Sequence, residues 1–162
     1  MRLRVADDLL HELDEARDTF LDVLADVDVE LVTVPGVMGD WSVRDLVVHV
    51  AAWAEHGTAA LELAAAGRGG EFSYSRGDTD AMNEGFLAEA RQVSPSAALA
   101  REETAFGAFR ARVVALDPSL RDMRLGNGDT VTDVVRYDGP EHYVEHTTHL
   151  RDWFSVSDDD EE

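Results

Sequence analysis

The chain has 162 residues, of which 34 are Asp or Glu and 14 are Lys or Arg, and its formal net charge is −20. Such an anionic surface repels phosphate backbones and anionic lipid, which argues against nucleic acid and membrane as partners. The absence of cysteine excludes a disulfide framework, a thiolate nucleophile and a cysteine-ligated metal. One domain is expected at this length, and a hydrophobic fraction of 44% is sufficient for a core.

The basic residues are all Arg, and Asp outnumbers Glu. Two explanations stay open: a GC-rich genome that favours Arg codons, or adaptation to a salt-rich cytoplasm in which salt screens the carboxylates. The first ten residues, M-R-L-R-V-A-D-D-L-L, turn acidic too early for a secretory signal, and no uncharged apolar run reaches about 18 residues. We therefore expect a cytoplasmic protein.

Apolar residues at helical spacing predict a first helix over residues 5–27 with an acidic outer face. A second helix is predicted over 43–66, because Ser42 and Asp45 have the spacing of a capping box. Gly57 interrupts this helix and weakens it by up to about 1 kcal/mol relative to Ala.

After a Gly-rich loop at 67–79, a third helix is predicted over 80–92. Ser94-Pro95 is a typical N-terminal signal for a fourth, over 95–116. The residues expected to face inward on this fourth helix are Leu99, Ala105 or Phe106, Phe109, Val113 and Leu116.

A loop over 117–130 and a short helical turn near 131–136 precede a last helix, over 140–154, that opens at Gly139-Pro140. The acidic residues 157–162 are predicted to be a disordered tail, which leaves a single domain over 1–156. Four long helices joined by loops predict an all-α four-helix bundle.

Three of the six histidines crowd the last helix. His142 and His146 are four residues apart, which places both imidazoles on one helical face as in H-x-x-x-H metal sites. His146 and His149, three apart, could also chelate. His142 and His149 are separated by a rise of roughly 10.5 Å and should not share an ion.

A metal site in a bundle also needs a ligand from a facing helix, and His49 on the apolar face of the second helix is the candidate. Alone, His49 would more commonly be a hydrogen-bonded core histidine. His56 lies roughly 10.5 Å further along the same helix and is interpreted as a surface residue or an outer partner of the site, and His11 as a surface residue. Four aromatic residues could wall a pocket or fill the core: Trp41, Trp53, Tyr137 and Tyr143.

These motifs resemble those of a known superfamily. P-G-V at 35–37 and D-W-S-V-R-D-L-V-V-H-V-A-A-W at 40–53 resemble the W-S-hydrophobic-basic-D-L-hydrophobic-x-H-L-x-x-W segment of the DinB/YfiT superfamily. N-E at 83–84 and H-Y-V-E-H at 142–146 are similar to elements of its ClbS/DfsB-like branch. The likeness spans residues 5–154 in order and spacing.

The resemblance implies an up-down-down-up four-helix bundle, often dimeric, that holds a divalent metal ion, commonly zinc or nickel, through three histidines. Carried onto this sequence, the ligands are His49, His142 and His146, while the additional His149 leaves open which pair of the last helix is used. Asn83 or Glu84 could face the site, whereas capping or solvation is the preferred interpretation of Glu145.

Known superfamily activities are transfer or isomerisation with mycothiol, bacillithiol or glutathione, and the colibactin self-protection protein instead opens a cyclopropane hydrolytically. We therefore expect a metal-dependent hydrolase or thiol S-transferase, acting on a small electrophile and forming a homodimer, with a low-molecular-weight thiol as a candidate cosubstrate. Two alternatives stay open: a metal-free ClbS-like hydrolase, and a non-catalytic, stress-linked module that binds a small molecule or dimerises.

Overall fold

The computed structural model describes the backbone of residues 2–73 and 77–159, and side chains within 8–73 and 77–154. Over these residues the chain is helical, and its only β-type pairings are two isolated bridges. The six α-helices are α1 (Arg2–Ala25), α2 (Val43–Ala65), α3 (Thr79–Ala90), α4 (Pro95–Ala115), α5 (Val131–Asp138) and α6 (Pro140–Asp159).

Ion pairs and ring contacts define the relative directions of the four long helices. The pairs are Asp14–Arg110 and Arg17–Glu102 between α1 and α4, and Glu55–Arg101 and Glu62–Arg112 between α2 and α4. Residue numbers rise together along α2 and α4 but oppositely along α1 and α4. On α1 and α6, Leu13 lies beside Gly139 and Phe20 beside Tyr143, so this pair is parallel. The order is up-down-down-up, as predicted.

Side-chain caps explain where the helices begin. The Ser42 hydroxyl accepts from the backbone N–H of Asp45, and the Asp45 carboxylate accepts from the N–H of Ser42. The Ser94 hydroxyl caps α4 by accepting from the backbone N–H of Ala97. A second capping box, between Thr130 and Asp133, was not identified in the sequence and makes α5 a complete helix rather than a short turn.

The buried face of α4 differs from the prediction at one position. Leu99 is 48% exposed, whereas Glu102 is 1% exposed. The core-facing stripe therefore runs through Ala98, Glu102, Ala105, Phe109 and Val113 at helical spacing. A carboxylate can occupy this stripe because Arg17 and Tyr143 both bind it.

The structure describes only part of the predicted acidic tail. α6 extends to Asp159 and therefore includes residues 157–159 of the predicted acidic tail. Residues 160–162 lie outside the described residues, so their disorder stays a prediction. Within the described part of the chain, none of the helices combines the length and apolar character that crossing a bilayer requires.

Candidate metal centre

Three histidines from two helices converge on one point. His49 on α2 faces His142 and His146, which lie one turn apart on α6. The Nε2 atom of His49 is 2.9 Å from that of His142 and 3.1 Å from that of His146. All three residues are buried, at 5%, 9% and 2% exposure respectively.

Ordinary hydrogen bonds cannot satisfy this arrangement. A neutral imidazole nitrogen carries either one proton or one lone pair, so His49 Nε2 can form only one of its two short contacts as a normal hydrogen bond. A cation would satisfy all three nitrogens at once. For zinc–nitrogen bonds of 2.0–2.1 Å in tetrahedral geometry, the nitrogens should lie about 3.3 Å apart, close to the separations observed. The donor set therefore fits a divalent ion such as zinc.

Burial keeps these imidazoles in the form that binds metals. Desolvation, with smaller contributions from the charges of neighbouring histidines, lowers the pKa of His49 and His142 to about 3 and that of His146 to about 2. At neutral pH each ring is therefore uncharged and offers a lone pair rather than a competing proton.

His149 contacts His146 through the ring nitrogen that does not face His49. His146 Nδ1 lies 3.1 Å from Nδ1 of His149, and the two rings stack. His149 is therefore placed as a partner of His146 on the side away from the shared point. The Nδ1 atoms of His49 and His142 have no hydrogen-bond partner among the described residues. The indole of Trp41 packs edge-on against His49, with ring centroids 4.9 Å apart.

A cavity of about 350 Å³ adjoins the three histidines. Trp53 and the half-exposed Tyr137 form part of its wall, which is one of the two roles left open for these aromatic residues. Asn83 also lines it and accepts a hydrogen bond of 2.8 Å from the indole N–H of Trp53. Tyr143 instead lies in the core, where it is 0% exposed. The cavity has the size of a pocket for a small ligand.

The two acidic candidates, Glu84 and Glu145, are exposed, unlike the three buried histidines. Glu84 is exposed on α3 and is absent from the lining of the cavity, so Asn83 is the member of the N-E element that faces the site. Glu145 lines the cavity but is exposed, which agrees with the preference for solvation over a buried contact.

Of the two histidines excluded from the site, His11 is exposed and lies 3.6 Å from Glu15, as expected for a surface residue. The side chain of His56 is only 11% exposed and contacts Asp138, so the surface interpretation is wrong and that of an outer partner survives. Nothing in the sequence had singled out Asp138. The available signal was Gly57, because a glycine inside a helix often marks a close approach by another group.

The fold and the converging imidazoles together define an up-down-down-up helical bundle with a three-histidine centre between its second and last long helices. Residues 13–154 match the family described as the mycothiol maleylpyruvate isomerase N-terminal domain, and the chain belongs to this family. The family is a member of the DinB/YfiT-like helical superfamily, so the superfamily resemblance is confirmed. The ClbS/DfsB-like branch stays a prediction.

A solved structure supports the same fold. An uncharacterised protein from Escherichia coli UTI89 superposes with a TM-score of 0.80 over 94% of each chain, at 16% sequence identity. At this identity the likeness shows the fold alone. No curated protein matches the chain.

Proposed function

We propose that the protein is a metal-dependent enzyme that joins a low-molecular-weight thiol to a small electrophilic molecule. His49, His142 and His146 would hold a divalent ion, with zinc or nickel as the candidates. The observation that carries the proposal is the convergence of three uncharged imidazoles on one point beside a cavity. A divalent ion bound there acts as a Lewis acid and lowers the pKa of a coordinated thiol or water.

The family supports a thiol as the nucleophile. Its description names mycothiol, and the chain's own residues provide no cysteine that could serve instead. We therefore favour S-transfer with mycothiol over hydrolysis. The ClbS-like, metal-free hydrolase and the non-catalytic binding module become outcomes of the test below.

Charge narrows the class of the electrophile. The chain carries a formal net charge of −20, and the cavity lining includes the carboxyl groups of Asp138 and Glu145. The overall charge disfavours the approach of an anionic ligand from solution, since like charges repel, whereas a divalent ion held by the three histidines would offset the two carboxyl groups inside the cavity. We propose an uncharged acceptor in a cytoplasmic, homodimeric enzyme, and light scattering on the purified protein would test the dimer.

The test uses protein purified without an affinity tag, loaded with zinc or nickel, and mixed with monochlorobimane and mycothiol, bacillithiol or glutathione. In the expected reaction the thiol sulfur bonds to the bimane carbon, chloride leaves and the sulfur loses its proton. Turnover should stop when the metal is chelated and return when zinc or nickel is restored. His142→Gln should be inactive, whereas the matched control His11→Gln should be as active as the wild type.

The outcomes separate the candidate functions. Thiol transfer that survives chelation would contradict the role of the metal. Consumption of the acceptor by water without any thiol would favour the ClbS-like hydrolase. Saturable binding of the acceptor with no turnover in any arm would favour the non-catalytic module. An additional arm with maleylpyruvate, an anionic acceptor, should react more slowly than the uncharged dye.

A further inference from the structure

A buried carboxyl–imidazole pair lies beside the three-histidine centre and has no part in holding a metal there. His56 Nδ1 on α2 is 3.3 Å from Oδ2 of Asp138, the last residue of α5. Both side chains are only 11% exposed. With its proton on Nδ1, the imidazole donates a hydrogen bond to the carboxylate.

The surrounding residues hold this pair in a fixed place. The His56 ring packs between Trp53 and Phe72, with ring centroids 4.9 and 4.7 Å away. A Cβ atom on Gly57 would lie 3.2 Å from Asp138 Oδ2 and 2.7 Å from the ring of Phe109. Gly57, which costs helix stability, is therefore explained by the room that Phe109 and Asp138 need.

Asp138 faces the cavity, whereas His56 lies behind it. Asp138 lines the same cavity as His49, His142 and His146, and His56 is absent from that lining. The other carboxyl group of the lining, Glu145, is exposed. Asp138 is thus the buried carboxyl group that a molecule in the cavity would meet.

The environment of Asp138 favours proton uptake. Burial raises the pKa of Asp138, the hydrogen bond and charge of His56 oppose that rise, and the charge of Asp129 adds to it. Among the helices around Asp138, α4 contributes the uncharged ring of Phe109. α6 contributes His142, which lines the same cavity. A carboxylate whose affinity for protons is increased is a more effective general base near neutral pH.

We propose that Asp138 is the general base that takes the proton from the thiol in the cavity, and that His56 is a positioning residue for it. This inference rests on the thiol transfer proposed above. In the step, the S–H proton moves to a carboxylate oxygen of Asp138 while the sulfur electron pair forms the bond to carbon. With monochlorobimane the C–Cl bond breaks and chloride leaves.

The experiment compares zinc-loaded wild type, Asp138→Asn and His56→Phe in the mycothiol–monochlorobimane assay from pH 5.5 to 9. Asp138→Asn should lower kcat/KM at pH 7 by about 10²–10³-fold while zinc content and Tm stay close to those of the wild type. The loss should shrink above pH about 8.5, where a free thiol ionises unaided. Asp22→Asn, an exposed aspartate on α1, is the matched control and should match the wild type.

His56→Phe keeps a ring in place but has no N–H to donate, so it distinguishes positioning from mere packing and serves if Asp138→Asn does not fold. Loss of the Nδ1–H donor should raise the pKa of Asp138, so the acidic limb of the pH–rate profile should move to higher pH. A purely structural role would instead lower the rate by the same factor at every pH.

The outcomes for the two proposals differ. An active wild type whose kcat/KM and pH profile are unchanged in both variants would overturn the role of Asp138 and leave thiol transfer standing. A wild type that is inert with every thiol would overturn the proposed function, and this inference with it.

Discussion

Two clusters of buried polar groups share α6 and differ in how their atoms are satisfied. His142 and His146 point to the three-histidine centre, whereas Tyr143 between them points towards Glu102 on α4. There, Tyr143 donates a hydrogen bond of 2.6 Å to Glu102, and the Arg17 guanidinium binds both oxygens of the same carboxylate at 2.8 and 2.9 Å. We call these three residues the structural cluster.

In the structural cluster, donors meet acceptors and a cation meets an anion, so the polar groups compensate one another. Arg17 also lies 4.2 Å from the centroid of the Phe106 ring, which further compensates its charge. In the three-histidine centre, like groups meet and a cavity adjoins them. The difference teaches that the first cluster is complete within the protein, whereas the second presents three converging nitrogens that could hold a cation.

The largest expected effect of a single substitution comes from breaking the structural cluster. Glu102→Ala should destabilise the protein by about 3–4 kcal/mol, because Tyr143 would stay buried and Arg17 half-buried without their acceptor. Urea unfolding measures the change. Replacing all three residues by apolar ones of similar size (Arg17→Met, Glu102→Leu, Tyr143→Phe) should recover most of the loss, and a triple variant as unstable as Glu102→Ala would contradict this explanation.

The three-histidine centre should make the metal-free protein sensitive to acid. Its histidines have folded-state pKa values of about 3, 3 and 2, against about 6.5 in the unfolded chain. Because the unfolded state binds more protons in this interval, stability falls as the pH drops below 6.5 and is lost progressively towards 3. Between pH 7 and 5.5 the loss should approach about 4 kcal/mol for three groups.

Urea unfolding at the two pH values, with a chelator present, measures this loss. The variant His49→Gln/His142→Gln/His146→Gln should show a smaller pH dependence than the wild type. Equal pH slopes in the two proteins would show that these imidazoles are not held neutral by the fold.

A milder change to the structural cluster should leave the metal centre intact. Tyr143→Phe removes one hydrogen bond to a charged acceptor while Arg17 still pairs with Glu102, so we expect a destabilisation of about 2 kcal/mol. Zinc affinity, measured by competition with a chromophoric chelator, should change less than threefold. A larger loss of zinc affinity would show that the two faces of α6 are coupled.

The smallest effect is expected from Asp14 and Arg110, a more exposed ion pair that also joins α1 to α4. Arg110 binds both oxygens of Asp14 at 2.8 and 2.9 Å, the distances found for Arg17 and Glu102, but its side chain is 41% exposed. Asp14→Asn should lower Tm by less than about 3 °C, since water screens exposed pairs. A fall comparable to that of Glu102→Ala would show that geometry rather than burial sets the strength of these pairs.

The sequence predicted the parts of the fold that depend on local signals. Ser42 with Asp45, and Ser94 with Pro95, mark their helix starts because capping involves neighbours in the chain. The i, i+4 spacing of His142 and His146 likewise placed two of the converging histidines on one face.

The features that the sequence did not predict depend on contacts between residues far apart in the chain. Burial of Glu102 cannot be inferred from its own helix, because the partners that permit it, Arg17 and Tyr143, lie on α1 and α6. The same holds for the pair of His56 with Asp138, which are 82 positions apart. Charged residues on a helix are normally exposed, so the pattern favoured Leu99 for the core of α4.

The central claim is that His49, His142 and His146 form a divalent-metal centre, and elemental analysis of untagged protein tests it most directly. We expect about one zinc or nickel ion per chain in the wild type and almost none in a His49→Ala/His146→Ala variant that still folds. Equal metal content in the two proteins, or a wild type that takes up no divalent ion after dialysis against zinc and nickel, would contradict the account.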